Sequence, residues 1–331
     1  MTYPLNPDVF NDDVKQEPIR AGFGRGLKAA GETNELTVAL CADLTESTQM
    51  HLFKEAFPKR FIEVGVAEQN LVTVASGLAR AGKIPFTSSY AAFSPGRNWE
   101  QIRTTIALNN QPVKIVGSHA GVSVGPDGAT HQMLEDIALM RVLPNMVVIA
   151  PGDSIEAEKA TKAMSDNGKP TYIRLAREKT PIFSTEDSPF EIGKAYVLRE
   201  GNEATLLGTG TMTYQLLVAA EILSKDGIEV EVVHVPTVKP LDEETILASA
   251  RKTGRVITAE EAQAAGGFGS AVAEFLSETL PMPVKRIGMK DRFGESGAPA
   301  ELLDHFELTG EKMAVTIKTW LDKMPRYHQD Y

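Results

Sequence analysis

Short runs of β-branched and apolar residues alternate with helix-length stretches along nearly the whole of this 331-residue chain. "LTVALCA" (36–42), "FIEV" (61–64), "IPFTSSY" (84–90), "VKIVGS" (113–118), "MVVIA" (146–150) and "TYIRLA" (171–176) read as strands. Amphipathic stretches such as "RNWEQIRTTIALNN" and "SIEAEKATKAMSDNG" lie between them and read as helices. Strand alternating with helix implies βαβ units, hence a parallel sheet covered on both faces. The pattern breaks at "REKTPIFSTEDSPFEIGKAY" (177–196), which is polar, holds two prolines, has no clear period and reads as a linker. It restarts with "EATLLGTG", "YQLLVAAEILSKDG", "IEVEVVHV", "DEETILASARKTG", "RVITAEE", "GSAVAEFLSETL" and "PVKRIGM". The predicted fold class is α/β, with two doubly wound domains over 12–185 and 186–331, the second smaller. No internal repeat relates them.

A net charge of −10 argues against a nucleic-acid partner, though not against a local basic pocket for a small anion. No apolar run approaches the roughly 20 residues of a membrane span. The polar, acidic start "MTYPLNPDVFNDDVKQEP" resembles neither a signal peptide nor a transit peptide. Cys41 is the only cysteine, so no disulfide forms within the chain. These features predict a cytoplasmic protein.

Ligands of open parallel sheets bind past the carboxyl ends of the strands. Polar clusters sit there: "DLTES" after Ala42, "SHAGVSVGPDGATHQ" after the run ending at Ser118, and "RE" after Ala176. The glycine stretches "GFGRG" (22–26), "GTGTM" (208–212) and "AAGGFGSA" (264–271) lack the dinucleotide fingerprint and read as turns and close packing; no strand is expected before the first. The six histidines, His51, His119, His131, His234, His305 and His328, show no zinc spacing, so no metal site within the protein is predicted.

The loop "SHAGVSVGPDGATHQ" holds His119, Asp127 and His131; it reads as functional, the alternative being a solvated loop with Thr130 capping the next helix. Tyr90 and Phe93 read first as a core aromatic pair and, alternatively, as a platform for a heteroaromatic ring. Glu68, in "GVAEQN" between two apolar runs, is either a helix-start acid favoured by the macrodipole or a buried carboxyl sharing a proton with a bound base.

Together these residues resemble the C-terminal half of transketolase, a thiamine-diphosphate enzyme, from about Arg20 to the end of the chain. "GVAEQN" looks like the segment carrying the family's cofactor-activating glutamate, and "ADLTES" is similar to its "ADLTPS". "SHAGVSVGPDGATHQ" is similar to its loop of two histidines and an aspartate, and "DRFGESGAPAELL" (291–303) to its C-terminal-domain signature. The resemblance implies a pyrimidine-binding domain followed by a transketolase C-terminal domain. It implies that Glu68 holds a proton on the cofactor's pyrimidine ring, with Phe93 stacked on that ring, Tyr90 beside it and Asp43 close by. Arg20, Ser47 and Arg177 would bind the substrate phosphate, with His119 on the same side. Asp127 would read a donor hydroxyl, and His131 would serve the carbonyl under attack as proton shuttle or oxyanion donor.

The family's metal-binding "GDG" motif is missing: "PDG" (126–128) belongs to the histidine loop, and only a short lead precedes the first domain. The diphosphate-binding domain, with its Mg2+ or Ca2+, is therefore expected on a partner subunit, in a two-plus-two heterotetramer. The implied activity moves a two-carbon ketol unit from xylulose 5-phosphate to ribose 5-phosphate, in the pentose phosphate pathway. Gly96 falls where other transketolases carry an aromatic, and "SPGRNWEQIR" looks more like deoxyxylulose-phosphate synthases. His119 lies eight residues before Asp127, as in transketolase. The other readings are such a synthase, a 2-oxo acid dehydrogenase beta-type subunit, and a non-enzymatic scaffold or regulatory subunit.

Overall fold

The alternation folds into two main sheets and one short ribbon. A computed structural model describes residues 3–327, and His328 lies outside the described residues. The first sheet runs, edge to edge, through Thr237–Lys239, Val147–Ile149, Thr171–Arg174, Lys114–Ser118, Ile84–Tyr90, Thr37–Cys41 and Phe61–Glu63. All pairings are parallel except that of Thr237–Lys239. Thr37–Cys41 and Lys114–Ser118 are buried at every residue, which is why such runs are nearly continuous rather than alternating. The second sheet runs through Val284–Met289, Val256–Gln263, Thr205–Gly208, Glu231–His234 and Tyr196–Arg199, the last antiparallel.

Helix Ile19–Thr33 packs against helix Ser154–Asp166, whose start is capped by Asp153 accepting from Glu156 N at 3.0 Å. "GFGRG" lies inside the first of these helices, not in a turn, and follows the short strand Gln16–Pro18, which the sequence reading did not expect. Its packing role holds: a Cβ on Gly22 would come within 1.8 Å of the Ser154 carbonyl oxygen. Phe23, Leu27, Phe53, Phe86 and Met164 fill the core on this face.

Two other expectations change. The stretch 177–196 is no free linker. Lys179–Pro181 pairs antiparallel with Gln16–Pro18, and Ile182, Phe183 and Ser184 are buried. Asp153 Oδ2 accepts from the amides of Phe183 and Ser184, and Lys159 Nζ donates to the carbonyls of Thr185, Glu186 and Ser188. Side chains from a distant helix fasten this strap, so local periodicity does not reveal it. Thr237–Lys239, from the second half of the chain, completes the edge of the first sheet. The two halves are also clasped by His234 Nε2 and Glu156 Oε2, 2.7 Å apart and both buried. Among the described residues no helix is long and apolar enough to cross a membrane.

Glu260, on the second sheet, is fully buried and accepts from the amides of Phe268 and Gly269 at 2.7 and 2.8 Å. Burial pushes its carboxyl up to about 7, from 4.5. Between those values the folded chain holds a proton that the unfolded chain has released, so this group's contribution to stability falls as pH rises. Glu260→Gln should lose one acceptor, costing about 1 kcal/mol, and flatten that fall. Melting temperatures of both proteins across pH 4.5 to 7 check it.

Candidate active site

Five strands of the first sheet deliver polar residues past their carboxyl ends. Thr37–Cys41 leads to Asp43 and Ser47, Phe61–Glu63 to Glu68, Ile84–Tyr90 to Phe93, Lys114–Ser118 to the histidine loop, and Thr171–Arg174 to Arg177. Arg20 joins them from the first turn of helix Ile19–Thr33.

Glu68 is the first residue of helix Glu68–Arg80 and is 2% exposed. It is both a helix-start acid and a buried carboxyl. Oε2 accepts from Arg97 Nη1 at 2.7 Å, and its carbonyl accepts from Asn98 Nδ2 at 2.8 Å. Oε1 has no hydrogen-bond partner among the described residues. The Arg97 guanidinium lies 4.7 Å from the Phe93 ring centroid, so one cation ties the acid to the aromatic. Arg97 and Asn98 sit inside "SPGRNWEQIR" but were not singled out from sequence. Their one available signal is proximity in the chain to Phe93; the contact to Glu68 exists only in the fold.

Tyr90, Phe93, His119 and His131 form one aromatic cluster. Tyr90 stacks on His119 at 3.9 Å between centroids and lies 6.1 Å from Phe93, while His131 meets Phe93 edge-on at 5.4 Å. His119 takes a left-handed backbone (φ 57°), which costs a non-glycine residue about 1–2 kcal/mol. The hydrogen bond from Ala120 N to the Leu175 carbonyl, 3.1 Å, helps hold it. Thr130 caps no helix: its Oγ1 lies 2.9 Å from His131 Nδ1, and the next helix starts at Asp136.

Arg20 Nη1 donates to the Ser47 carbonyl at 2.5 Å and lies 3.5 Å from His119 Nε2. Arg20 Nε is buried without a hydrogen-bond partner among the described residues. Burial lowers the pKa of the Arg20 guanidinium, and nearby Arg177 adds to that. Arg177 Nη1 donates to the Val124 carbonyl at 2.5 Å and stands 3.8 Å from Asp127 Oδ2. Two cations with an unmet donor suit a phosphate. Asp43 stays apart: it is exposed, left-handed (φ 59°), and its amide is held by Glu63 Oε1 at 2.8 Å. It makes no hydrogen bond or ion pair to the cluster among the described residues. An open pocket of about 520 Å3 between the N-terminal segment and the second domain, lined by Phe10, Tyr214 and Leu303, lies away from this chemistry, whereas one of about 450 Å3 reaches the histidine loop at Ser123, beside Glu178 and Glu261.

Residues 15–182 match the family described as transketolase, pyrimidine binding domain, and residues 193–313 that described as transketolase, C-terminal domain. A putative transketolase C-terminal section of Methanocaldococcus jannaschii is 44% identical over 308 residues, 92% of this chain and 96% of that protein. A 6-deoxy-6-sulfo-D-fructose transketolase subunit of a Clostridium species is 44% identical over 304 residues, 92% of this chain and 94% of that protein. A solved structure described as a split gene transketolase, inactive beta4 tetramer, is 44% identical with a TM-score of 0.86, covering 92% of this chain and 98% of that one. The chain belongs to the transketolase family, which implies thiamine diphosphate as cofactor.

His119 is 2% exposed, and burial, then Arg20, Arg177 and His131, lower its pKa to about 3. Arginine only donates, so Nε2 is the accepting side and Nδ1 donates to Ser118 Oγ, 2.9 Å away. His119 should therefore stay neutral throughout pH 5 to 8. Nitrogen chemical shifts of the imidazole, followed over that range, should show no titration at His119.

Proposed function

We propose that this chain is the pyrimidine-side subunit of a split transketolase. It moves a two-carbon ketol unit from a ketose phosphate such as xylulose 5-phosphate to an aldose phosphate such as ribose 5-phosphate, in the cytoplasm and the pentose phosphate pathway. The observation that carries this reading is Glu68: a carboxyl 2% exposed, with Oε1 unpartnered among the described residues, tied through Arg97 to the Phe93 ring that His131 meets edge-on. In this reading residues 12–185 form the cofactor-binding domain and 186–331 the transketolase C-terminal domain.

Thiamine diphosphate fits these residues. Glu68 would hold it by the pyrimidine ring and Phe93 by stacking, with Tyr90 nearby. Bound there, the cofactor supplies the carbanion chemistry of carbon–carbon cleavage and transfer. The chain's part is proton placement, orientation and anchoring. Glu68 would keep a proton on the ring nitrogen, its burial strengthening that coupling. Arg20, Ser47 and Arg177 anchor the sugar phosphate, with neutral His119 beside them on that side. Asp127 takes a donor hydroxyl. His131, against Phe93, moves a proton at the carbonyl or donates to its oxygen.

The diphosphate and its Mg2+ or Ca2+ belong, in this reading, to a partner subunit in a two-plus-two assembly. The Methanocaldococcus relative, matched over 96% of its length, is itself named a C-terminal section, and the similar solved structure is of a split-gene enzyme. Both support the division.

The purified chain with thiamine diphosphate and magnesium should be inactive until a subunit bearing the "GDG" motif is added. The assembled enzyme should exchange xylulose 5-phosphate with ribose 5-phosphate. Release of carbon dioxide from pyruvate instead would replace ketol transfer with a synthase reaction. Glu68→Gln keeps the side chain's size but cannot hold the proton, and should lower kcat by about 100-fold or more; unchanged kcat would refute the role.

A further inference from the structure

The histidine loop has little structure of its own. Between Ala120 and Met133, which close it as a β-bridge, its only regular element is the single turn Val122–Val124. Backbone groups buried in such a loop must find partners elsewhere. Several find them within the loop or on the first domain, and the Ser123 amide finds its partner in the second domain.

Glu261 ends deep in that seam and is 2% exposed. Its Oε1 accepts from the Ser123 amide at 2.7 Å, inside the loop, and its Oε2 accepts from Thr211 Oγ1 at 2.9 Å, at the start of helix Met212–Lys225. Gly121 faces the carboxylate with φ +94°, and a Cβ there would come within 2.3 Å of Oε1. This glycine is needed for the approach of Glu261 as well as for the turn. A second tie lies further along the loop. Gln132 Nε2 donates to the carbonyls of Val122 and Gly125 within the loop and of Glu295 in the second domain, at 3.0, 3.3 and 3.0 Å. Gly128 also abuts the second domain, where a Cβ would come within 2.5 Å of Ser296 Oγ. Glu295 and Ser296 belong to "DRFGESGAPAELL", so this stretch of the second domain abuts the loop rather than standing apart from the site.

We infer that Glu261 is a positioning residue: through the Ser123 amide, the second domain sets the shape of the loop that carries His119, Asp127 and His131. Among the described residues Glu261 makes no hydrogen bond to Glu68, His119, Asp127 or His131; its carboxylate pairs with Ser123 and Thr211. A carboxylate on a buried amide makes a charge-assisted hydrogen bond, stronger than a neutral one, and here it spans two domains. The C-terminal domain thereby contributes to the site's geometry without supplying a reacting group. The inference rests on the reading above that those three residues serve the reaction.

The test is amide hydrogen exchange on the full-length chain, without cofactor or substrate, for wild type, Glu261→Ala and Glu261→Gln. Glutamine keeps an oxygen for the Ser123 amide and an amino group for the Thr211 hydroxyl. Glu261→Ala should raise exchange across 119–133 by about 10-fold or more, equivalent to about 1.4 kcal/mol, while helix Gly310–Leu321 keeps its protection. Glu261→Gln should stay near wild type. With the partner subunit present, kcat should follow the same order, the alanine variant low and the glutamine variant largely restored. Unchanged exchange in Glu261→Ala, exchange raised throughout the second domain, or a glutamine variant as loose as the alanine one would each overturn the inference. If Glu261→Ala does not fold, Glu261→Asp, shorter by one methylene, replaces it with the same expectation. Loop loosening in an assembly that performs no ketol transfer would leave the positioning intact and remove the proposed function instead.

Discussion

The buried guanidinium of Arg174 ties the architecture together. It stands at the end of the interior strand Thr171–Arg174, and Nε donates to Asp136 Oδ2 at 2.9 Å, just past the histidine loop. Nη2 donates to the Glu261 carbonyl of the second domain at 2.7 Å. Tyr172 brings its hydroxyl to the same Asp136 oxygen at 2.8 Å. Such a buried pair adds little net stability, because desolvation offsets the attraction. Its consequence is geometric: the strand end, the loop end and the second domain meet at one group, and losing either charged partner leaves the other buried and unmatched. The same seam holds the His234–Glu156 clasp and the Thr237–Lys239 edge strand, so neither half completes its own surroundings.

That scaffold gathers opposite electrostatic demands within a small space. The Glu68 end offers an acid, an aromatic ring and one arginine that touches both. The other end offers Arg20 and Arg177 around a histidine held neutral by burial and by those cations. The left-handed backbones of Asp43 and His119, each just past a strand, are conformations that persist only where the surroundings enforce them. At His119 the enforcing contacts run to Leu175 and Ser118, the sheet's own carboxyl edge.

Much of this was legible in the chain. The six strand runs of the first domain all appear, because a parallel sheet covered on both faces demands continuous apolar stretches. The residues chosen past the strand ends converge except Asp43, which sits on the Glu63 turn. Arg97, Asn98, Gln132 and Glu261 were not legible as site residues. Each works through a contact to another segment, and nothing in its neighbouring sequence marks the partner. The strap at 177–196 escaped for the same reason: its fastenings come from Asp153 and Lys159 on another element.

The sequence alone determined the alternating sheet, the carboxyl-end placement of the polar clusters, and the kinship carried by "GVAEQN", the histidine loop and "DRFGESGAPAELL". These depend on local periodicity and on residue type, which a linear chain displays. Only the tertiary structure decided that Arg97 would pair with Glu68, that His119 would be neutral between two arginines, and that the second domain would brace the histidine loop. Those outcomes depend on distance and desolvation between segments far apart in the chain, quantities that exist only once the chain has packed.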